Sequence, residues 1–528
     1  MKRVFILSAC ILNCLCLRLS AAEWQWSVPV RGIVSSETGR TPEAYLWIPS
    51  GCSRVRAVVV GQHNMSEETL FENPLFRQRM AEENFALVWI TPILDMPWNA
   101  ENGCQTAFDQ LIGDLADASG YDCLRTAPVV PVGHSALATF PWNFAAWNPG
   151  RTLAVVSLHG DAPRTNLTGY GNANLEWGRT RNIDGIPALM IEGEYEWWEA
   201  RITPALAFRM MYPNSCISFF GDAGRGHFDV ADRTADYIAL FLHKAAASRL
   251  GDPLKPVDPA AGWLAERWHP DHKKRPRAAA AGQYKGDPHE AFWYFDREMA
   301  DLTERCYAET DGKRPVYIGF EQQGAPLRYD ETLHARIRGR FRPEADGMTF
   351  HLRAFFTDSL RQRPASAHPA GVPTISRICG PVEMLDDTTF RIRFDRGTMG
   401  NPRRGTEIWL VAAHPADATY KGAVQQIVID IPYRNSEGRR QSILFPSLPD
   451  VKQQSLPVTL TAVSDYGLPV SYYVKEGPAE IDEDRIVSTP IPPRTKFPVR
   501  VTIVAWQYGI AGEVQTAEPI ERSFYITE

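Results

Sequence analysis

The chain contains no Cys-x-x-Cys pair, so it lacks the ligand spacing of a zinc ribbon. It has no excess of basic residues either. Its 56 Lys and Arg face 62 Asp and Glu, for a formal net charge of -6. Without a positive field to hold a polyanion, nucleic acid is a poor partner for it. Beyond its N-terminal segment no apolar run is long enough to cross a bilayer, so no transmembrane helix is expected.

What is present fits a globular protein. The 528 residues are 44% hydrophobic and 22% charged, enough chain for about two to four domains. The N-terminus has the pattern of a secretory signal. Lys2 and Arg3 precede an apolar stretch over residues 4–17, and Ser20-Ala21-Ala22 offers a small-residue cleavage site. The mature chain is expected to begin at Glu23 in a secreted or periplasmic setting. Three of the nine cysteines (Cys10, Cys14 and Cys16) fall in that segment. Of the rest, Cys104 and Cys123 bracket one predicted helix and are candidates for a disulfide in an oxidising compartment.

From residue 44 the pattern alternates. Residues 44–49, 57–61, 85–91, 127–132, 153–158, 186–191 and 216–220 read as strands. Residues 75–84, 104–118, 205–211 and 235–247 read as helices. Solid apolar strands such as 57–61 are those of a parallel sheet covered on both faces. A polar insert over residues 161–184 is expected to lie over the site as a lid. Residues 252–286, with the basic run Lys273-Lys274-Arg275 and Arg277, read as a solvated linker. Residues 289–308 read as one helix with Phe292, Phe295, Met299 and Leu302 on one face. From Val316 the period changes to two, which predicts an all-β half of one or two sandwiches. The stretch from Leu456-Pro457-Val458 through Gly467-Leu468-Pro469 to Gly477-Pro478-Ala479 resembles bacterial extracellular Ig-like modules.

The chemistry centres on Gly133-His134-Ser135-Ala136-Leu137, between an apolar strand and an apolar helical segment. A sharp strand-to-helix turn exposes the serine oxygen. The fifth position is Leu137, where the full nucleophile-elbow motif has glycine. A serine hydroxyl needs a base and a group to orient that base. The candidate base is His227, in a glycine-rich loop after the last predicted strand. The candidate acid is Glu196, in Glu192-Gly193-Glu194-Tyr195-Glu196, with Glu194 and then Asp161 as alternatives. The order Ser135, Glu196, His227 and its strand setting resemble the α/β-hydrolase superfamily over roughly residues 40–250. That resemblance implies an acyl-enzyme mechanism, with backbone N–H groups of Ala136 and of Met65, or next Asn64, stabilising the oxyanion. His63 and His134 read as packing or loop hydrogen-bonding residues rather than metal ligands, and no metal or other cofactor is expected.

The layout also resembles secreted bacterial carbohydrate esterases. It implies hydrolysis of an acetyl, feruloyl or methyl ester on a polysaccharide, or of a small ester. Among Trp142, Trp147, Trp177, Trp197 and Trp198, the last two are the candidate sugar platforms, and Trp142 and Trp147 read as core. Arg164, Arg179 and Arg181 in the insert are candidate contacts for a uronic acid. A lipase or peptidase on the same fold, and a non-catalytic carbohydrate-binding protein on a decayed hydrolase fold, are the alternatives. The expected organisation is a signal peptide over 1–22, a catalytic α/β-hydrolase unit over 23–250 and a linker with a helical connector over 251–330. A β-rich domain over 331–440 and an Ig-like β-sandwich module over 441–528 complete it.

Overall fold

The computed structural model describes residues 24–165, 175–196, 199–269, 275–361 and 363–528. The expected signal peptide, Trp197, Trp198, Lys273 and Lys274 lie outside the described residues.

Eight strands form the first sheet. They are β1 (Trp26–Pro29), β2 (Glu43–Trp47), β3 (Ala57–Gln62), β4 (Phe85–Thr91), β5 (Val129–His134), β6 (Val155–Leu158), β7 (Pro187–Gly193) and β8 (Cys216–Asp222). Their spatial order is β1-β2-β4-β3-β5-β6-β7-β8. The β1–β2 and β2–β4 pairs are antiparallel, and the strands from β4 to β8 run parallel. This order makes the N-terminal part α/β-hydrolase-like. Alternation explains the unbroken apolar strands. Val58 and Val60 face one core with Phe108, Leu111 and Phe144, while Val59 faces the other with Trp142 and Ile238. Helices α1 (Ser66–Glu72), α2 (Pro74–Glu82), α3 (Cys104–Ser119), α4 (Thr139–Trp147), α5 (Glu199–Met211) and α6 (Asp232–Arg249) connect and cover the sheet.

Several expectations need correction. Cys104 and Cys123 are free thiols, like Cys52, Cys216, Cys306 and Cys379. Cys104 opens α3 and Cys123 follows its far end. A helix of 16 residues is about 24 Å long, which is several times the reach of a disulfide. Residues 252–286 are more than a linker. They supply β9 (Trp263–Glu266) and β10 (Ala279–Ala280), which form a sheet with β11 (Ala291–Tyr294). The expected helix over 289–308 therefore splits into β11 and α7 (Arg297–Ala308), the break set by Asp296, whose side chain caps the Met299 N–H at 3.0 Å. Phe292 sits on the strand and packs on Phe219, with ring centroids 5.0 Å apart.

The C-terminal half is built of small β-sheets of two to four strands among the described residues. One joins Arg338–Arg340, Ala423–Asp430, Glu407–His414 and Thr374–Cys379 in that order, and another joins Val451–Lys452, Ile520–Thr527, Val499–Trp506 and Ser471–Glu476. Each of these two sheets has one parallel pairing at its edge. In the period-two half, the run 349–357 divides into Thr349–His351 and Arg353–Thr357, which serve different sheets.

This half packs against the first sheet. Arg404 Nη2 donates to the His63 carbonyl at 3.1 Å, and Lys421 Nζ to Glu194 Oε1 at 2.6 Å. At Gly224 an added Cβ would come within 3.0 Å of the Gly422 Cα. These contacts lie beside the carboxyl ends of β3, β5, β7 and β8.

Candidate active site

Strand β5 ends at His134, and a single 3-10 turn, Ser135–Leu137, leads into α4. Ser135 has φ of 52°, the strained left-handed region. The turn is so tight that a Cβ on Gly133 would sit 2.1 Å from the Leu137 carbonyl oxygen. The contact is therefore made by the backbone of residue 137, and its side chain is buried elsewhere. That is why leucine replaces the motif's glycine without loss of the turn. The close approach between turn and sheet falls to Gly160 and Ala138 instead, since a Cβ at Gly160 would lie 2.0 Å from that of Ala138.

His227 Nε2 lies 2.9 Å from Ser135 Oγ. The other ring nitrogen, Nδ1, donates to Glu196 Oε2. The structure thus brings Ser135, His227 and Glu196 together. Glu194 and Asp161, the alternative acids, lie apart from His227. Glu194 accepts from Lys421 and, at 2.8 Å, from the Gly224 N–H. Asp161 faces Arg201 at 3.7 Å.

One residue of the site escaped sequence reasoning. His159, after β6, also has a positive φ of 52° and donates from Nδ1 to Glu196 Oε1. The same oxygen accepts the Gly193 N–H at 3.0 Å, and Oε2 accepts Arg201 Nη1 at 3.4 Å. Burial opposes the charge on Glu196, but the two imidazoles outweigh it and hold the carboxyl well below its ordinary range. For His227, burial lowers the pKa and Glu196 offsets this only in part, so the ring is neutral near pH 7 and free to accept a proton. The only sequence signal for His159 was its place in a strand-end loop, which many residues share. The ligand atoms of His159, Glu196 and His227 lie within 4.8 Å of one another, a grouping that would also suit a metal ion.

His134 is fully buried, and its Nε2–H donates to the His227 carbonyl at 2.8 Å, tying the loop of the base to the elbow. Its own N–H donates to Glu67 Oε1 at 2.6 Å. Burial pushes the Glu67 carboxyl up to about 8. Asn64 Nδ2 donates to the His134 carbonyl at 2.7 Å, and Met65 immediately precedes α1 at its N-cap position. Ala136 is the second residue of the elbow turn. His63 is buried, with Nδ1 2.7 Å from Thr91 Oγ1 and Nε2 3.7 Å from Glu68.

Beside Ser135 lies a cavity of about 250 Å³. One wall carries Tyr195, Glu196 and Phe228; the opposite wall, from the β half, carries Tyr329, His334, Arg336, Arg361, Gln425 and Gln426. None of the described part of the 161–184 insert lines it; residues 166–174 of the expected lid lie outside the described residues. Arg164 stacks on Trp177 and Tyr212, Arg181 stacks on Trp147 at 4.3 Å, and Arg179 is solvent-exposed. Trp142 and Trp177 are fully buried, and the Trp177 indole donates to Asn143.

No protein-family model matches the chain, and no curated protein matches it. Solved structures do match, and those named here are esterases and serine hydrolases. FphF, a fluorophosphonate-binding serine hydrolase from Staphylococcus aureus, aligns at 11% identity over 42% of this chain and 97% of its own, with a TM-score of 0.30. Est1E from Butyrivibrio proteoclasticus aligns at 15% identity over 42% and 99%, with a TM-score of 0.30. An S-formylglutathione hydrolase from Agrobacterium tumefaciens aligns at 12% over 42% and 94%, with a TM-score of 0.31. Similarity this shallow assigns no activity, and the site stands on its own geometry.

Proposed function

We propose that this protein is a secreted or periplasmic serine esterase acting on an ester of a polar, carbohydrate-type compound. The observation that carries the esterase reading is the hydrogen-bonded chain from Ser135 through His227 to Glu196, with 2.9 Å between hydroxyl and imidazole. Ser135 Oγ attacks the ester carbonyl while His227 Nε2 takes its proton. Glu196 holds the imidazolium. Collapse of the tetrahedral intermediate breaks the carbonyl-to-alkoxy bond, and His227 returns the proton to the leaving alcohol. Water then attacks the acyl-serine by the same steps. Backbone N–H groups of Ala136 and Met65 are our candidates for the oxyanion donors.

The polar wall of Tyr329, Gln425 and Gln426 supports a hydroxyl-rich substrate over a lipid. The N-terminal pattern of residues 1–22 supports export. Hydrolysis of p-nitrophenyl acetate by wild type and Ser135→Ala tests the reading. The variant is expected to lose at least 10³-fold in kcat. Equal rates would favour a binding protein on a decayed site. Dialysis against a chelator is expected to leave the rate unchanged, and a loss would assign the His159, Glu196 and His227 group to a metal ion instead.

A further inference from the structure

The arginines packed around this site mostly have carboxylates. Arg201 meets Glu192 at 3.1 Å, Arg377 meets Glu68 at 2.9 Å, and Arg404 pairs with Glu37. Arg361 does not follow them. Its guanidinium lies in the cavity wall, between the rings of Tyr317 at 4.5 Å and Tyr329 at 5.1 Å. It donates to Gln425 Oε1 at 3.0 Å and to the Ile318 carbonyl at 3.3 Å. Among the described residues no carboxylate lies within ion-pair distance of it. Burial lowers its pKa, and the ionisable groups that act on it are Tyr329, Tyr317 and Tyr195.

A half-buried cation without a counter-charge is costly to maintain. Tyrosine faces and amide oxygens compensate it only in part. Arg336 adds a second guanidinium to the same wall. It donates to the Glu331 carbonyl, and it too has no carboxylate at ion-pair distance among the described residues. The other charges facing the cavity cancel. Glu196 is taken up by His159, His227 and Arg201, and Arg201 by Glu192, Asp161 and Glu196. The wall opposite Ser135 therefore carries two uncompensated positive charges, both supplied by the β half.

We propose that Arg361, with Arg336, forms an anion subsite, and that the ester cleaved at Ser135 carries a carboxylate. The proposal rests on the esterase reading above. The carboxylate has two chemical sources, a sugar acid on the alcohol side or a dicarboxylic acyl group, and matched pairs of probes separate them. Galacturonate and galactose are compared as inhibitors of p-nitrophenyl acetate hydrolysis. The p-nitrophenyl esters of succinate and butyrate are compared as substrates by kcat/KM. At low salt one pair is expected to favour its anionic member at least tenfold. The preference is expected to shrink at 0.5 M salt, as screening requires, and to fall below threefold in Arg361→Gln and by a smaller factor in the exposed variant Arg336→Gln.

Thermal unfolding of both variants checks that they are folded. If neither pair prefers its anion, or if the preference survives both substitutions, the subsite is overturned. Calorimetric titration of Ser135→Ala with galacturonate and with succinate tests it even if p-nitrophenyl acetate is not hydrolysed. If p-nitrophenyl acetate is not hydrolysed, binding of either anion, weakened at least tenfold by adding Arg361→Gln, would keep the subsite while the esterase reading falls. If it is hydrolysed, absence of binding to both would sink the subsite alone.

Discussion

Glu196 accepts from four donors, and only one of them is the base. Glu196 and His159 each act on His227, with opposite signs. The carboxylate raises the pKa of His227, while the charge of His159 lowers it. The base must be neutral to act, so kcat/KM is expected to rise with pH through a midpoint below the ordinary imidazole value of 6.5. Glu196→Gln is expected to move that midpoint further down and to cut kcat by about 10⁴-fold, as loss of the orienting acid does in serine hydrolases. His159→Gln keeps a donor near Oε1 but removes the ring. It is expected to move the midpoint up towards 6.5 with a loss of about tenfold in kcat. Shifts in the same direction for both variants, read from pH–rate profiles, would show that His159 is structural packing and not a positioning residue. Ser135, Glu196 and His227 were legible because chain order and strand-end position select them. His159 was not. Its role depends on a left-handed backbone turn that aims its ring at a carboxylate 37 residues on in the chain, and no spacing rule encodes that.

At the level of elements, the elbow shows which glycine matters. Sequence reasoning placed the missing glycine at Leu137, but that position contributes a carbonyl, and its side chain has room. The crowded positions are Gly133 and Gly160. Gly160→Ala would drive a methyl group onto that of Ala138 at the start of α4. Overpacking of this kind costs about 1–3 kcal/mol, and the strain falls on the turn that presents Ser135. The variant is expected to lower the denaturant midpoint by that amount and to reduce kcat more than it raises KM. Leu137→Gly is expected to lower stability by leaving a buried cavity. Unchanged stability in Gly160→Ala would mean that α4 can shift without cost. The strands of the first sheet were legible because a doubly covered parallel sheet needs unbroken apolar runs, as in Ala57–Gln62. Strand β11 was misread as helix because Phe292, Phe295, Met299 and Leu302 mimic a 3.6-residue stripe. The first two pack there from a strand and a turn, and a cap at Asp296 starts the helix later.

At the scale of the whole molecule, the β half forms one wall of the cavity beside Ser135. Period-two patterning marks strands but says nothing about which sheet edge they cover, so this docking was not legible. Arg404 shows what the docking does. Its guanidinium pairs with Glu37, whose side chain is 0% exposed, and donates to the carbonyls of His63 and Asn64 at 3.1 and 3.4 Å. Those carbonyls belong to the loop that leads to Met65, one of the proposed oxyanion donors. Arg404→Ala strands the Glu37 charge, and breaking a buried pair in this way costs about 3–5 kcal/mol. It also frees the loop, so kcat is expected to fall. The two effects are separable. In the double variant Glu37→Gln with Arg404→Ala the stranded charge is gone, so much of the stability is expected to return. The loop carbonyls remain uncapped, so kcat is not expected to return. Denaturant unfolding and p-nitrophenyl acetate kinetics on the three variants distinguish these outcomes. Recovery of kcat in step with stability would mean that Arg404 serves only to neutralise Glu37, and that the β half supports the catalytic loop through packing alone.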